Sequence, residues 1–155
     1  MNKYLRLILF ILVPLLVGSL SGIATVNSIP TWYSHLNKPF FNPPNYLFGP
    51  VWSILYLTMG ISLFMVYESG IASQKRKIIL VFTLQLVLNF FWSIIFFGLQ
   101  SPQFAFFEIV LLWVSIAYMI YFFYKTNKLA ALIQIPYLLW VSFASLLNAA
   151  IWYLN

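Results

Sequence analysis

Residues 32–56 read WYSHLNKPFFNPPNYLFGPVWSILY. Pro39, Pro43, Pro44 and Pro50 put four prolines into twelve residues. Each removes a backbone donor and disfavours helix in the residue before it, so no continuous helix runs through the stretch. Yet it is no solvated linker: Trp32, Tyr33, Phe40, Phe41, Tyr46, Phe48 and Trp52 carry too much aromatic surface for that. A proline-stiffened aromatic segment that passes into a long apolar run reads as a lid folded over one end of a membrane bundle.

The rest of the chain supplies the bundle. Its 155 residues are 63% hydrophobic and 6% charged, with a mean hydropathy of +0.95, well outside the soluble globular range. There is no cysteine, so disulfides and thiol chemistry are excluded. One histidine, two acids and no cysteine offer too few ligands for a protein-built metal centre, and none is expected. The net charge of +6 sits at the ends of apolar runs, which is membrane-flanking charge and not a nucleic-acid surface.

Crossing a hydrocarbon core takes roughly 20 helical residues, and five runs are long enough. The sequence predicts one all-α integral membrane domain over residues 1–155, with helices at about 5–26, 48–68, 77–98, 103–125 and 129–154. The Pro- and aromatic-rich loop between the first two would cap a ligand cavity. The first run follows Lys3 and Arg6 but is too long for a secretory signal core, so a retained helix is expected. Gly98 is the expected stop of the third helix, Pro102 suits the start of the fourth, and Pro136 interrupts the fifth. Seven basic residues (Lys3, Arg6, Lys75, Arg76, Lys77, Lys125, Lys128) fall on one side of this topology and Lys38 alone on the other. That asymmetry predicts a cytoplasmic N-terminus in the cell membrane, with lid and C-terminus outside.

Within a membrane the polar and small residues are the informative ones. Gln85, Asn89 and Trp92 share one face of the third helix. Trp140, Ala144 and Asn148 make a second stripe on the fifth, and Trp52, Tyr56 and Gly60 a third on the second. Two readings stand side by side: an aromatic-walled central pocket, or amides that tie neighbouring helices together. Gly18 and Gly22 form a GxxxG that marks a close helix contact, either within the chain or, as expected here, with a second copy. Glu108, two turns into the fourth helix, is either protonated, bonded at the interface or favoured by the helix N-terminus. His35 in the lid reads as a surface residue, with iron ligation or a propionate contact as the rival.

Four blocks carry a resemblance. They are Trp32-Tyr33 with Leu36, Lys38-Pro39 and Pro43-Pro44; Gly49-Pro50-Val51-Trp52 with Leu55-Tyr56 and Met59-Gly60; Gln85 to Trp92 with Phe96-Phe97-Gly98; and Pro136-Tyr137-Leu138 with Trp140, Phe143-Ala144, Leu147-Asn148 and Ile151-Trp152. In one register from about residue 15 to the end, the chain closely resembles the translocator protein family, also called tryptophan-rich sensory proteins or peripheral-type benzodiazepine receptors. The resemblance implies a five-helix fold, usually a homodimer, with a cavity beneath the first loop. It also implies binding of porphyrins such as protoporphyrin IX and haem, as ligands and not as resident cofactors. Some bacterial members degrade protoporphyrin in light through two cavity tryptophans, which match Trp52 and Trp140 here. The resemblance implies ligand-lining positions at Tyr33, Trp52, Asn89, Trp92, Trp140 and Ala144, and Tyr56, Phe104 and Asn148 complete the expected ligand-binding set.

Departures from the family pattern are informative too. Sterol-binding animal members carry a Tyr and an Arg where this chain has Ala149 and Tyr153, and no Lys or Arg follows Lys128, so specific sterol binding is not expected. Phe41 and Tyr46 replace tryptophans of many relatives. The expected function is thus a membrane receptor or sensor for porphyrins, with light- and oxygen-dependent porphyrin breakdown as a possible activity. A tetrapyrrole transporter and a scaffold for membrane partners are the alternatives.

Overall fold

The structure is a computed structural model and describes residues 2–155. Five membrane-length helical segments run Lys3–Tyr33, Asn45–Ser69, Ala72–Gly98, Pro102–Thr126 and Lys128–Leu154. The individual helices are α1 (Lys3–Ser28), α2 (Phe48–Ser69), α3 (Ala72–Ser93), α4 (Pro102–Thr126), α5 (Lys128–Leu132) and α6 (Ile135–Leu154). The fifth predicted span is therefore two helices with a turn at Ile133–Gln134, because Pro136 has no N–H to continue the ladder.

The first span is longer than expected. A π-helical turn over Ile29–Tyr33 carries α1 onward, so Trp32 and Tyr33 belong to its end and not to the lid. Pro30 removes one ladder donor, and the wider turn absorbs the gap. Hydroxyls of Thr31 and Ser34 donate to the carbonyls of Asn27 and Thr31, which satisfies the loosened turn. α3 also starts earlier than expected, at Ala72, so Lys75, Arg76 and Lys77 lie inside its first turns. Its far end widens likewise at Ile94–Gly98, and Gln100, with φ of 52°, takes the left-handed position expected of Gly98.

α1 packs mainly on α2 and touches α3; α4 lies between α3 and α6. Buried residues of α1 are Pro14, Ser21 and Ser28, whereas Leu5, Ile8, Leu12, Leu16, Leu20 and Ile23 are exposed. Exposed aliphatics cost nothing against lipid, so α1 leans on the bundle as an outer stave. The antiparallel α1–α2 seam closes at two points. A Cβ built on Gly18 would stand 2.1 Å from Cε2 of Tyr56, and one on Gly60 would stand 2.5 Å from the Cα of Ile11. Gly18 is thus spent on a contact inside the chain, which corrects the expectation that it meets a second copy. Gly22 faces open space.

Polar contacts fasten the other end of the bundle. Ser62 donates to the Ala130 carbonyl at 2.7 Å, and Gln134 donates to the Thr58 carbonyl at 3.0 Å. Asn127 caps α5 by accepting from the Ala130 N–H, and its amide donates to Ser69. Arg6 on α1 is paired with Glu68 at the end of α2.

Candidate ligand-binding site

The lid is pinned at both edges. Tyr33 donates its hydroxyl to Asn42 at 2.7 Å, and the Asn42 amide donates to the Pro43 carbonyl. At the C-terminus, the Asn37 N–H donates to the Asn155 side chain and the Asn155 amide returns a bond to the Asn37 carbonyl, both at 3.0 Å. This clasp ties the lid to the last residue of α6, and nothing local in the sequence signals it. The Lys38 ammonium folds back onto the Ser34 and Leu36 carbonyls and lies 4.9 Å from the Tyr33 ring centroid. His35 is exposed and turned back on its own helix end, against the Thr31 carbonyl. Among the described residues its ring therefore meets backbone and the Ser34 hydroxyl.

Beneath the lid, rings from four segments converge. The cavity is lined by Tyr33, Phe48, Trp52, Trp92, Phe96, Phe97, Trp140, Phe143, Ala144, Leu147, Asn148 and Ile151. Helical spacing explains the convergence: Trp140, Phe143, Ala144, Leu147, Asn148 and Ile151 form one stripe of α6, with residues 3–4 apart. Trp52 stacks on Tyr56 with centroids 5.6 Å apart and leans on Trp92 at 6.4 Å. Trp140 sits between Phe48 at 6.4 Å and Phe143 at 5.5 Å. The two tryptophans therefore occupy different ring clusters on one cavity wall system. The free space between the walls is only about 20 Å³, room for roughly a single water.

A larger groove adjoins it. About 380 Å³ of space opens between α1 and α2, lined among others by Gly18, Ser21, Gly22, Tyr46, Gly49, Ser53 and Tyr56. It shares Phe48, Trp52, Trp92 and Phe97 with the small cavity, so these four rings form the partition between the two spaces.

The expected site residues fall in four places. Tyr33, Trp52, Trp92, Trp140, Ala144 and Asn148 line the cavity, and Tyr56 lines the groove. Asn89 stands one layer behind. It accepts from Tyr56 at 2.5 Å and donates to Tyr137 at 3.0 Å, and Tyr137 donates to Gln85 at 2.9 Å. This buried chain across α2, α3 and α6 is the tie reading of the amides, and it holds Tyr56 upright behind Trp52. Asn148 does both jobs: it faces the cavity, accepts from the Trp92 indole at 3.1 Å and donates to the Pro102 carbonyl at 2.7 Å. Phe104 is a correction. It is 68% exposed, because the inward face of α4 carries Ala105, Glu108, Ile109 and Leu112 instead. Sequence reasoning missed Phe48, Phe96, Phe97 and Phe143 as lining residues. Phe143 and Leu147 were recoverable from the α6 stripe, whereas Phe48 and Phe96 depend on how the helices cross.

Two buried polar groups stand out. The Trp140 indole N–H has no hydrogen-bond partner among the described residues, and neither do the Glu108 carboxylate oxygens. Glu108 lies beyond the first turn of α4, where the helix-end field has faded. A buried polar group without a partner costs free energy, so Glu108→Leu is expected to stabilise the bundle by ~1–3 kcal/mol in detergent unfolding. A loss of stability would show that Glu108 makes a bond essential to packing.

The architecture is that of a multi-pass membrane protein with an aromatic cavity lined chiefly by α2, α3 and α6. Comparison with known proteins agrees. The chain matches the TspO/MBR family over residues 10–154. It is 44% identical to the tryptophan-rich protein TspO of Archaeoglobus fulgidus over 151 residues, 97% of each chain. It is 43% identical to the protein of the same name from Chlorobaculum tepidum, covering 100% of this chain and 99% of the relative. The translocator protein of Sus scrofa is 35% identical over 92% of this chain and 86% of its own. The chain belongs to the TspO/MBR family.

Proposed function

We propose that this protein is a receptor for porphyrin-type ligands, held between the indole and phenol rings under the lid. The observation that carries the reading is the convergence of Trp52, Trp92, Trp140 and Tyr33 on one cavity. A porphyrin is a flat apolar ring with two carboxylates at one edge. Aromatic faces stack on such a ring, and the unpartnered Trp140 indole N–H is a buried donor for a ligand acceptor. At about 20 Å³ the cavity is too small for a macrocycle. Entry therefore moves the partition rings Phe48 and Trp52 so that cavity and groove become one space. The carboxylates would stay at the lid, near Lys38.

In light, the bound pigment supplies the chemistry and the protein positions it. An excited porphyrin takes an electron from an indole, and dioxygen is the oxidant for any breakdown of the ring. Pairing of two chains is part of the same proposal, although Gly18 does not contribute to it. Sedimentation in detergent is expected to give a dimer, and a monomer at all concentrations would remove that element.

Quenching of tryptophan fluorescence by protoporphyrin IX tests the site. Saturable quenching is expected, and Ala144→Trp, which fills the cavity from α6, should abolish it. Equal quenching by wild type and Ala144→Trp would overturn the cavity as the binding site.

The loop charges further support a cytoplasmic N-terminus in the cell membrane. Ser34 and Ser73 are both exposed, at opposite ends of the bundle. An impermeant thiol reagent should label Ser34→Cys in intact cells and Ser73→Cys only after the membrane is opened. The reverse pattern would invert the topology.

A further inference from the structure

The molecule has a second large groove, on the face where α1 meets α3. It holds about 400 Å³ and is lined by Phe10, Val13 and Val17 of α1, Leu63 of α2, and a stripe of α3 from Ile79 to Phe91. It shares no lining residue with the aromatic cavity or the groove beside it. Apart from Thr83 the lining is apolar. From Ile79 to Phe91 the α3 stripe rises about 18 Å. One leaflet of the hydrocarbon core is about half of ~30 Å deep, so the groove has the length of one acyl chain.

The basic end of the groove has a matching chemistry. Lys75 and Arg76 lie four and three residues before Ile79, so they continue the α3 stripe past its apolar end. Lys75 Nζ stands 4.6 Å from the Tyr67 ring centroid, and Tyr67 packs edge-on against Phe10 at 5.3 Å. The lysine is thereby held at the mouth of the groove. Glu68, the acid at this rim, is paired with Arg6, which leaves the charge of Lys75 and Arg76 uncompensated by it. An apolar slot of one-leaflet length that opens onto two cations fits a lipid with a negatively charged headgroup better than a neutral one.

We propose that this groove binds one anionic phospholipid, with an acyl chain along Ile79–Phe91 and the phosphate on Lys75 and Arg76. Two other basic residues on the same side of the bundle serve as the internal control. Lys125 and Lys128 lie over the Tyr121 and Tyr124 rings, away from the groove.

Native mass spectrometry of the full-length protein, titrated with phosphatidylglycerol and with phosphatidylcholine of the same chains, tests the site. One tightly retained phosphatidylglycerol per chain is expected, preferred over phosphatidylcholine by roughly 30-fold if each cation contributes the usual amount near a headgroup. The double variant Lys75→Gln/Arg76→Gln should lose that preference, while Lys125→Gln/Lys128→Gln should keep it. Val87→Trp, on an exposed position of the groove wall, should reduce retention of both lipids without lowering the melting temperature. Three results would overturn the proposal: equal loss in the Lys125/Lys128 control, which means diffuse surface attraction; full lipid retention in Val87→Trp; or conversion of dimer to monomer by Val87→Trp with lipid retention unchanged, which makes the groove a seam between copies.

Discussion

Gly60→Ala is expected to push the first two helices apart and to cost ~3 kcal/mol, the upper end for an overpacked site. The added methyl would meet the Ile11 Cα at 2.5 Å and the Phe10 carbonyl oxygen at 2.5 Å. Both are backbone atoms of α1, so no side chain can swing aside, and the whole helix has to shift. Gly22→Ala is the control on the same helix pair: among the described residues nothing lies within 4 Å of its added carbon. There the better helix propensity of alanine, up to ~1 kcal/mol, should leave stability equal or higher. Thermal unfolding of the two variants in one detergent checks the contrast. Similar melting temperatures would mean that α1 does not press on α2 at Gly60.

Replacing Trp52 and Trp140 together by Phe should abolish light-dependent loss of protoporphyrin while binding stays within about tenfold, ~1.4 kcal/mol. Phenylalanine still offers a ring face for stacking but is a far poorer electron donor than indole. The structure separates the two contributions. Trp52 belongs to the cluster of Tyr56, Trp92 and Tyr137, and Trp140 to that of Phe48 and Phe143. The single variants should therefore differ, because each removes a donor with different neighbours to share its charge. Absorbance of the pigment under illumination, read beside a dark binding titration, gives both quantities. Bleaching at the wild-type rate in the double variant would remove the indoles from the chemistry. Loss of dark binding by far more than tenfold would mean that they act chiefly as walls.

Much of this was legible along the chain. Five spans, their order and the proline-stiffened loop follow from hydropathy and from the backbone chemistry of proline, which act locally. The inward stripes of α2, α3 and α6 follow from helical spacing, because a buried amide or indole has to face protein and not lipid. Helix ends were less legible. The π turn at Ile29–Tyr33 carries the first span past its expected end, and the one at Ile94–Gly98 changes the winding of the third span up to its expected stop, since a freed carbonyl near a proline or a helix end finds a new donor only in three dimensions.

Other features were decided by tertiary structure alone. Spacing puts Asn89 and Asn148 on inward faces, but whether an amide faces a cavity or a neighbouring side chain depends on what stands opposite. Tyr56 and Tyr137 claim Asn89, while Asn148 reaches both the cavity and the Trp92 indole. Likewise, the sequence marks Gly18 and Gly22 as equals. Only the crossing of α1 on α2 assigns Gly18 to the Tyr56 ring, leaves Gly22 open, and makes Gly60 the closest approach of the two backbones. The sequence by itself therefore determined the class of protein, its spans and the inward stripes of α2, α3 and α6, because those depend on local backbone chemistry and on the solvent. The partners those residues find, the full lining of the cavity and the lid's clasp on Asn155 rest on contacts between residues far apart in the chain, which no local pattern encodes.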